Sequence, residues 1–150
     1  MQLTDGEIFN NCYLSYTPNG GAEVDLSAYV QEVTVRFQRD DKDNTRMGHT
    51  SKSRKKGLGE WSFQATLIQQ YGSAQGGVDI DLLLWTELNA DTVGTVKFKP
   101  FNAAIAAHNP EYSGPATPFM HDIAKGKTGD LLTTSVEFKS SGNLARDVTP

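Results

Sequence analysis

Residues 28–38 read AYVQEVTVRFQ, and residues 60–70 read EWSFQATLIQQ. In the first stretch Tyr29, Val33, Val35 and Phe37 fall on one side, and Glu32, Thr34, Arg36 and Gln38 on the other. In the second, Trp61, Phe63, Ala65 and Leu67 oppose Ser62, Gln64, Thr66 and Ile68. A period of two places successive side chains on opposite faces of a strand. The apolar positions hold aromatic and β-branched residues, which suit a pleated, half-buried surface. The two stretches therefore read as the long strands of one extended hairpin, each buried on one face.

Between them lies RDDKDNTRMGHTSKSRKKGLG, residues 39–59. This segment is too polar to pack and carries no helical stripe. It reads as a loop of roughly 20 residues, and loops that long inside a domain are usually functional or disordered. Its charge is distinctive. Of the 14 basic residues in the chain, seven lie here: Arg39, Lys42, Arg46, Lys52, Arg54, Lys55 and Lys56. With Asp40, Asp41 and Asp43 the segment sums to 7 − 3 = +4, whereas the remainder is 7 − 15 = −8. Such separation informs about partners and fields rather than fold.

Working outward, Asn11 to Thr17 reads as a strand ended by the turn Pro18-Asn19-Gly20-Gly21. Tyr71 to Gly77 reads as a turn. Val78 to Asn89 reads as the one helix, with Ile80, Leu84 and Leu88 inward, Leu83 and Trp85 widening that face, and Asp79 and Asp81 at the positive end of the dipole. Strands are expected at Thr92 to Lys99, Phe119 to Lys125 and Leu131 to Lys139, with Phe101 to Thr117 irregular and a polar tail over 143–150. The expected class is α+β, mainly β: an antiparallel β-sandwich or partly rolled barrel with one helix, in a single domain over 1–150 with an extended loop at 39–57.

Composition narrows the function classes. At 37% apolar and 21% charged, the 150 residues suffice for one domain core. Cys12 is the only cysteine, so an intrachain disulfide or multi-cysteine zinc site is excluded, and a reducing compartment is expected. The first residues show no signal-peptide pattern, and no run approaches ~18 apolar residues, so a soluble protein made in a cytoplasm is expected.

No catalytic constellation emerges. His49, His108 and His121 are scattered, and a lone cysteine on a strand is usually a small core hydrophobe. Gly126-Lys127-Thr128 resembles the end of a phosphate-binding loop, but the upstream glycine is replaced by His121 and the flanks are strands rather than strand and helix. Asp40, Asp41 and Asp43 lack the glutamate that closes an EF-hand loop. Lys52-Ser53-Arg54-Lys55-Lys56 could meet nucleic acid, yet the loop has no aromatic to stack on a base. Two alternatives are a solvated charge run and an arm that meets the acidic body of an identical subunit. A head-to-tail contact of the latter kind builds rings or filaments.

Four short segments carry a resemblance to a family. Asp25-Leu26-Ser27-Ala28-Tyr29-Val30 opens a strand, and Asp43-Asn44-Thr45-Arg46-Met47-Gly48 lies in the loop. Gly57-Leu58-Gly59-Glu60-Trp61-Ser62 leads into the second long strand. Thr134-Ser135-Val136-Glu137-Phe138 is followed by Ser141-Gly142-Asn143-Leu144. In this order they resemble the tail tube, or major tail, proteins of long-tailed bacteriophages. At 150 residues no appended immunoglobulin-like domain is expected, and the basic run after Gly48 is denser than the resemblance implies.

The resemblance implies a structural virion protein with no enzymatic activity, cofactor or metal. Copies would form hexameric rings that stack into a tube around a DNA channel, with an acidic lumen for which Glu32 and Glu137 are candidates. The segment 39–57 would be the inter-ring loop, through Arg39, Lys42, Arg46, Met47, Lys52, Arg54, Lys55 and Lys56. Implied partners are the protein itself, a tape measure protein and tail-end proteins, with genome DNA passing without specific binding. The implied setting is the virion tail, assembled in the bacterial host cytoplasm. A tail terminator, a type VI secretion-like ring protein and a monomeric nucleic-acid-binding β-barrel are the alternative readings.

Overall fold

The computed structural model describes residues 11–71 and 79–150. The expected turn after Tyr71, the helix start at Val78 and the N-terminal leader reading fall wholly or mostly outside them. The strands are β1 (Tyr13–Thr17), β2 (Val24–Asp25), β3 (Val30–Asp43), β4 (Arg54–Ile68), β5 (Gly94–Lys99), β6 (Glu111–His121), β7 (Thr133–Ser140) and β8 (Ala145–Asp147), with one α-helix among the described residues, α1 (Ile80–Asn89), and a short 3-10 turn at Ser27–Tyr29. All pairings are antiparallel, in one eight-stranded sheet of order β2-β1-β5-β6-β7-β4-β3, with β8 on β6.

The sheet rolls onto itself. Tyr16 of β1 and Phe138 of β7 lie three strand spacings apart in sheet order, which is ~14 Å if flat. Their rings stack at 5.1 Å between centroids. Phe63 of β4 and Phe98 of β5, also three spacings apart, meet edge to face at 6.2 Å. Only a coiled sheet brings these faces together. The partly rolled barrel with one helix is thus the observed class.

The core collects the inward positions of β1, β4, β5 and β7 (Leu14, Tyr16, Trp61, Phe63, Leu67, Val96, Val136 and Phe138) with Ala116 of β6, closed by Ile80 and Leu84 of α1, while Val33 and Val35 of β3 pack against it half-buried. The alternation expected in the second long strand holds at Trp61, Phe63, Ala65 and Leu67, all buried. Trp61 donates its indole N–H to the Gly142 carbonyl at 2.8 Å. Its ring slides over Gly114, where a Cβ would sit 2.5 Å from Cζ2. The Ser141-Gly142 finish thus anchors the largest core side chain.

Several expectations need correction. The loop expected over 39–57 is mostly strand: β3 continues to Asp43 and β4 begins at Arg54, leaving ten residues, 44–53, to turn the chain. Polarity excluded packing but not pairing, because a ladder needs only backbone groups. Phe37, expected inward, is 59% exposed. It lies on an edge strand at the row of Trp61, one row beyond the Ser62–Lys139 pair that ends the β4–β7 ladder.

The helix buries Ile80, Leu84 and Glu87, while Leu88 and Trp85 face solvent. The reason is a buried hydrogen bond from Tyr16 Oη to Glu87 Oε2 at 2.7 Å, which turns Glu87 inward where Leu88 was expected. Asp79 caps the helix by accepting from the Leu82 N–H at 2.9 Å, as its position suggested.

The region from Phe101 to Thr117, expected to be irregular, contains most of β6, and the strand expected at Phe119 to Lys125 is only its end. Two prolines obscured it. Pro118 sits at a register shift, where an N–H is not needed. The Pro115 carbonyl accepts from the Ser141 N–H at 2.8 Å. Its missing N–H faces that same side, at the gap where β7 ends and β8 begins. The irregular part, 101–110, is pinned by buried Asn109, whose side-chain amide bonds Phe101 in both directions and reaches the Ala103 and Ala104 carbonyls. The tail over 143–150 also supplies a strand, β8.

Candidate assembly surfaces

The β3–β4 hairpin projects beyond the rest of the sheet as an arm. Pairing runs from Val30–Leu67 to Asp43–Arg54, shifted between Val30 and Glu32 and again between Arg39 and Asp41. β7 accompanies it only as far as the Ser62–Lys139 pair. Trp61, one row further, is still buried; from the Gln38–Glu60 pair outward every strand residue of the arm except half-buried Gly57 is exposed.

The arm has an ordered tip. The Asn44 N–H donates to the Ser53 carbonyl at 2.8 Å, and the Ser53 N–H to Thr45 Oγ1 at 2.9 Å. The Thr45 N–H donates to Asp43 Oδ1 at 2.8 Å. Hydrogen bonds from Thr45 hold the Asp43 carboxyl below the usual carboxylate range. The His49 N–H closes a turn onto the Arg46 carbonyl at 3.2 Å, with Gly48 at φ +89°. Positive φ is readily available to glycine, which fixes the sharp reversal.

The structure sorts the expected arm residues into two groups. Arg39 donates from Nε to the Gly57 carbonyl at 2.8 Å, Lys42 approaches Asp40 at 3.9 Å, and Arg54 pairs with Asp41. These three serve the hairpin itself. The side chains of Arg46, Lys52, Lys55 and Lys56 make no ion pair among the described residues, and Met47 at the tip is fully exposed. Because Arg54 to Lys56 is strand, its cations alternate between two faces. The basic run is therefore not one patch.

Glu32 and Glu137 are brought together. Both line a polar recess of about 200 Å³ on the outer face of β3, β4 and β7, with Thr34, Gln64, Thr66 and Ser135. The next row on that face is Arg36, Ser62 and Lys139. Counting Glu60, the face carries three acids and two bases, 2 − 3 = −1. Charge there is banded rather than uniformly acidic.

Sequence reasoning missed the exposed apolar side chains along α1 and the neighbouring end of β6. Leu82, Trp85 and Leu88 on α1, Val93 after it and Phe119 on β6 all face solvent. Trp85 was read as core because its spacing fits a widened stripe, and the hydrogen bond that rotates the helix is invisible in sequence.

Groups with chemical potential are dispersed or sequestered. Burial pushes the Cys12 thiol up, the opposite of activation. His121 is buried between Thr134 Oγ1 at 2.8 Å and Asp81 Oδ1 at 3.3 Å, tying the helix start to the sheet. His49 bonds the backbone of its own turn. Lys127 lies in a turn closed by the Asp130 N–H on its carbonyl. No cluster of metal-ligating side chains occurs among the described residues.

No family model and no curated protein matches the sequence. Solved structures do match the fold. A chain in the virion of a native gene transfer agent particle superposes with a TM-score of 0.70 at 12% identity, covering 95% of this chain and 99% of that one. A chain in the tail of an empty gene transfer agent particle of C6 symmetry gives 0.69 at 14%, covering 90% and 94%. A chain in the six-fold symmetrised baseplate of the anti-feeding prophage gives 0.67 at 8%, covering 97% of both. Over nearly the whole length of each, this chain thus shares its fold with these virion, tail and baseplate chains.

Proposed function

We propose that this chain is the structural subunit of a phage-type tail tube. Copies join side by side in hexameric rings, rings stack through the β3–β4 arm, and genome DNA passes through the channel without specific binding. The observation that carries the reading is the arm: a paired, ordered, basic hairpin that outruns its own sheet and leaves β3 as a 14-residue edge. An exposed edge of that length invites aggregation unless another chain covers it. Pairing between copies covers every such edge at once when the ring closes. The full-length likeness to chains of a C6-symmetric tail supports six copies.

In this reading the outer face with Glu32 and Glu137 lines the channel, and Arg46, Met47, Lys52, Lys55 and Lys56 meet the adjacent ring, with Arg39, Lys42 and Arg54 stiffening the arm. A tape measure protein and tail-end proteins are the further partners. The chain resides in the virion tail after assembly in the host cytoplasm. Catalysis has no part.

Light scattering and negative-stain electron microscopy of the purified protein test this. Six-fold rings stacking into tubes are expected. A persistent monomer whose DNA affinity falls steeply with salt would overturn the reading in favour of a nucleic-acid-binding barrel. Rings that never stack would favour a tail terminator.

A further inference from the structure

We infer that the arm tip of one copy seats in a specific groove of a second copy, between the end of α1 and strand β6. This names the receiving surface for the arm and rests on the assembly reading above. The groove is about 400 Å³ and is lined by Leu88, Val93, Pro118 and Phe119, with Asp91 at its rim. Leu88, Val93 and Phe119 are exposed in the isolated subunit.

The occupant follows from charge and reach. Residues 79–93 contain Asp79, Asp81, Glu87 and Asp91 and no lysine, arginine or histidine. Asp81 faces His121 and Glu87 is buried on Tyr16, so Asp79 and Asp91 are the acids this flank offers to a partner, against one cation, Lys139, over the Phe119 ring. Residues 44–56 contain Arg46, Lys52, Arg54, Lys55 and Lys56 and no carboxylate, a local charge of +5. The fully exposed Met47 stands within that basic tip. A flexible thioether adapts well to an irregular apolar groove, and the opposed charges steer the approach.

A subunit's own arm does not reach this groove. Val35, Phe63, Phe138 and Pro118 lie in one row across β3, β4, β7 and β6. From that row β3 runs eight more residues to Asp43, ~26 Å of extended chain leading away, before the tip begins. The contact is therefore between copies, and because its two halves differ it propagates head to tail. The second exposed apolar patch, around Leu131, is a poorer receiver for a basic tip, since its recess carries two bases, Lys125 and Lys127, against one acid, Asp130.

Cysteine pairing tests the assignment in the full chain. Met47→Cys with Val93→Cys is assembled and oxidised in air with copper–phenanthroline. Buried Cys12 stays out of reach. Non-reducing electrophoresis should show a ladder of linked copies. Met47→Cys alone, and Met47→Cys with Leu131→Cys, should give none. Intact tubes with a ladder from the Leu131 pair, or from neither pair, would overturn the groove while leaving the tube reading standing. Absence of any ring or tube from the unmodified protein would overturn both. As a second measure, Asp91→Lys should raise the protein concentration needed for assembly several-fold at low salt, and an unchanged threshold would count against the groove.

Discussion

The inner half of the β3–β4 hairpin and its outer half have the same backbone ladder and opposite chemistry. In the inner half, Trp61, Phe63, Ala65 and Leu67 are buried in the core shared with β1, β5, β7 and α1. In the outer half, the opposed residues are Asp41 with Lys56, Lys42 with Lys55 and Asp43 with Arg54, all exposed. Like charges sit directly opposite at Lys42–Lys55, which disfavours pairing. The Arg54–Asp41 pair and the hydrogen-bonded tip offset this. The difference teaches that the inner half pairs because it packs. The outer half pairs by continuation of that ladder, leaves its side chains in water and, in the proposed assembly, meets another copy. Substitutions should therefore separate folding from assembly along one hairpin.

The largest effect on stability is expected at Trp61. Trp61→Ala removes a buried indole and its bond to Gly142, and should cost ~3–5 kcal/mol in urea denaturation. Gly114→Ala attacks the same contact from the other side, since a Cβ would overlap the Trp61 ring. It should cost ~1–3 kcal/mol by overpacking. A neutral result at either site would break the account of how β6 and β4 meet.

Next comes the bond that orients the helix. Tyr16→Phe leaves the buried Glu87 carboxylate without its phenol donor and should cost ~1–3 kcal/mol. The pH dependence has a defined sign. Burial first, then the Glu87 hydrogen bond and charge, push the Tyr16 phenol above its ordinary value. The protonated phenol is the form the fold prefers, so its contribution is complete below pH ~10 and is lost as pH rises further. Stability of the unmodified protein should fall more steeply above pH ~10 than that of Tyr16→Phe. Parallel curves would contradict the buried pair.

The smallest effects on stability belong to the arm. Asp41→Ala removes a surface ion pair, and thermal melts should shift by less than ~1 kcal/mol equivalent. Thr45→Val removes a hydroxyl that helps hold the Asp43 carboxyl low. Its titration midpoint, read by NMR, should move up towards the ordinary carboxylate value.

Much of the architecture was legible because alternation reports burial directly. Residues 60–70 show the cleanest pattern and contribute the most core. Legibility failed where a long-range contact overruled a local pattern. Leu88 fits the helical stripe, yet Tyr16, 71 residues away in sequence, selects Glu87. Pro115 and Pro118 hid β6, because their tolerance depends on which neighbour each N position faces. The charged arm was visible as composition but read as a loop, since hydropathy cannot see a ladder between two solvated strands. Glu32 and Glu137 were correctly placed on polar faces, but only the β3-β4-β7 register shows them sharing a recess.

Electron microscopy of Lys52→Glu/Lys55→Glu/Lys56→Glu, which spares the Arg54–Asp41 pair, beside the unmodified protein tests the division between folding and assembly most directly. The account predicts a variant with native circular dichroism and a cooperative melt that forms no tubes, under conditions where the unmodified protein does. Normal tubes from the folded variant would contradict it.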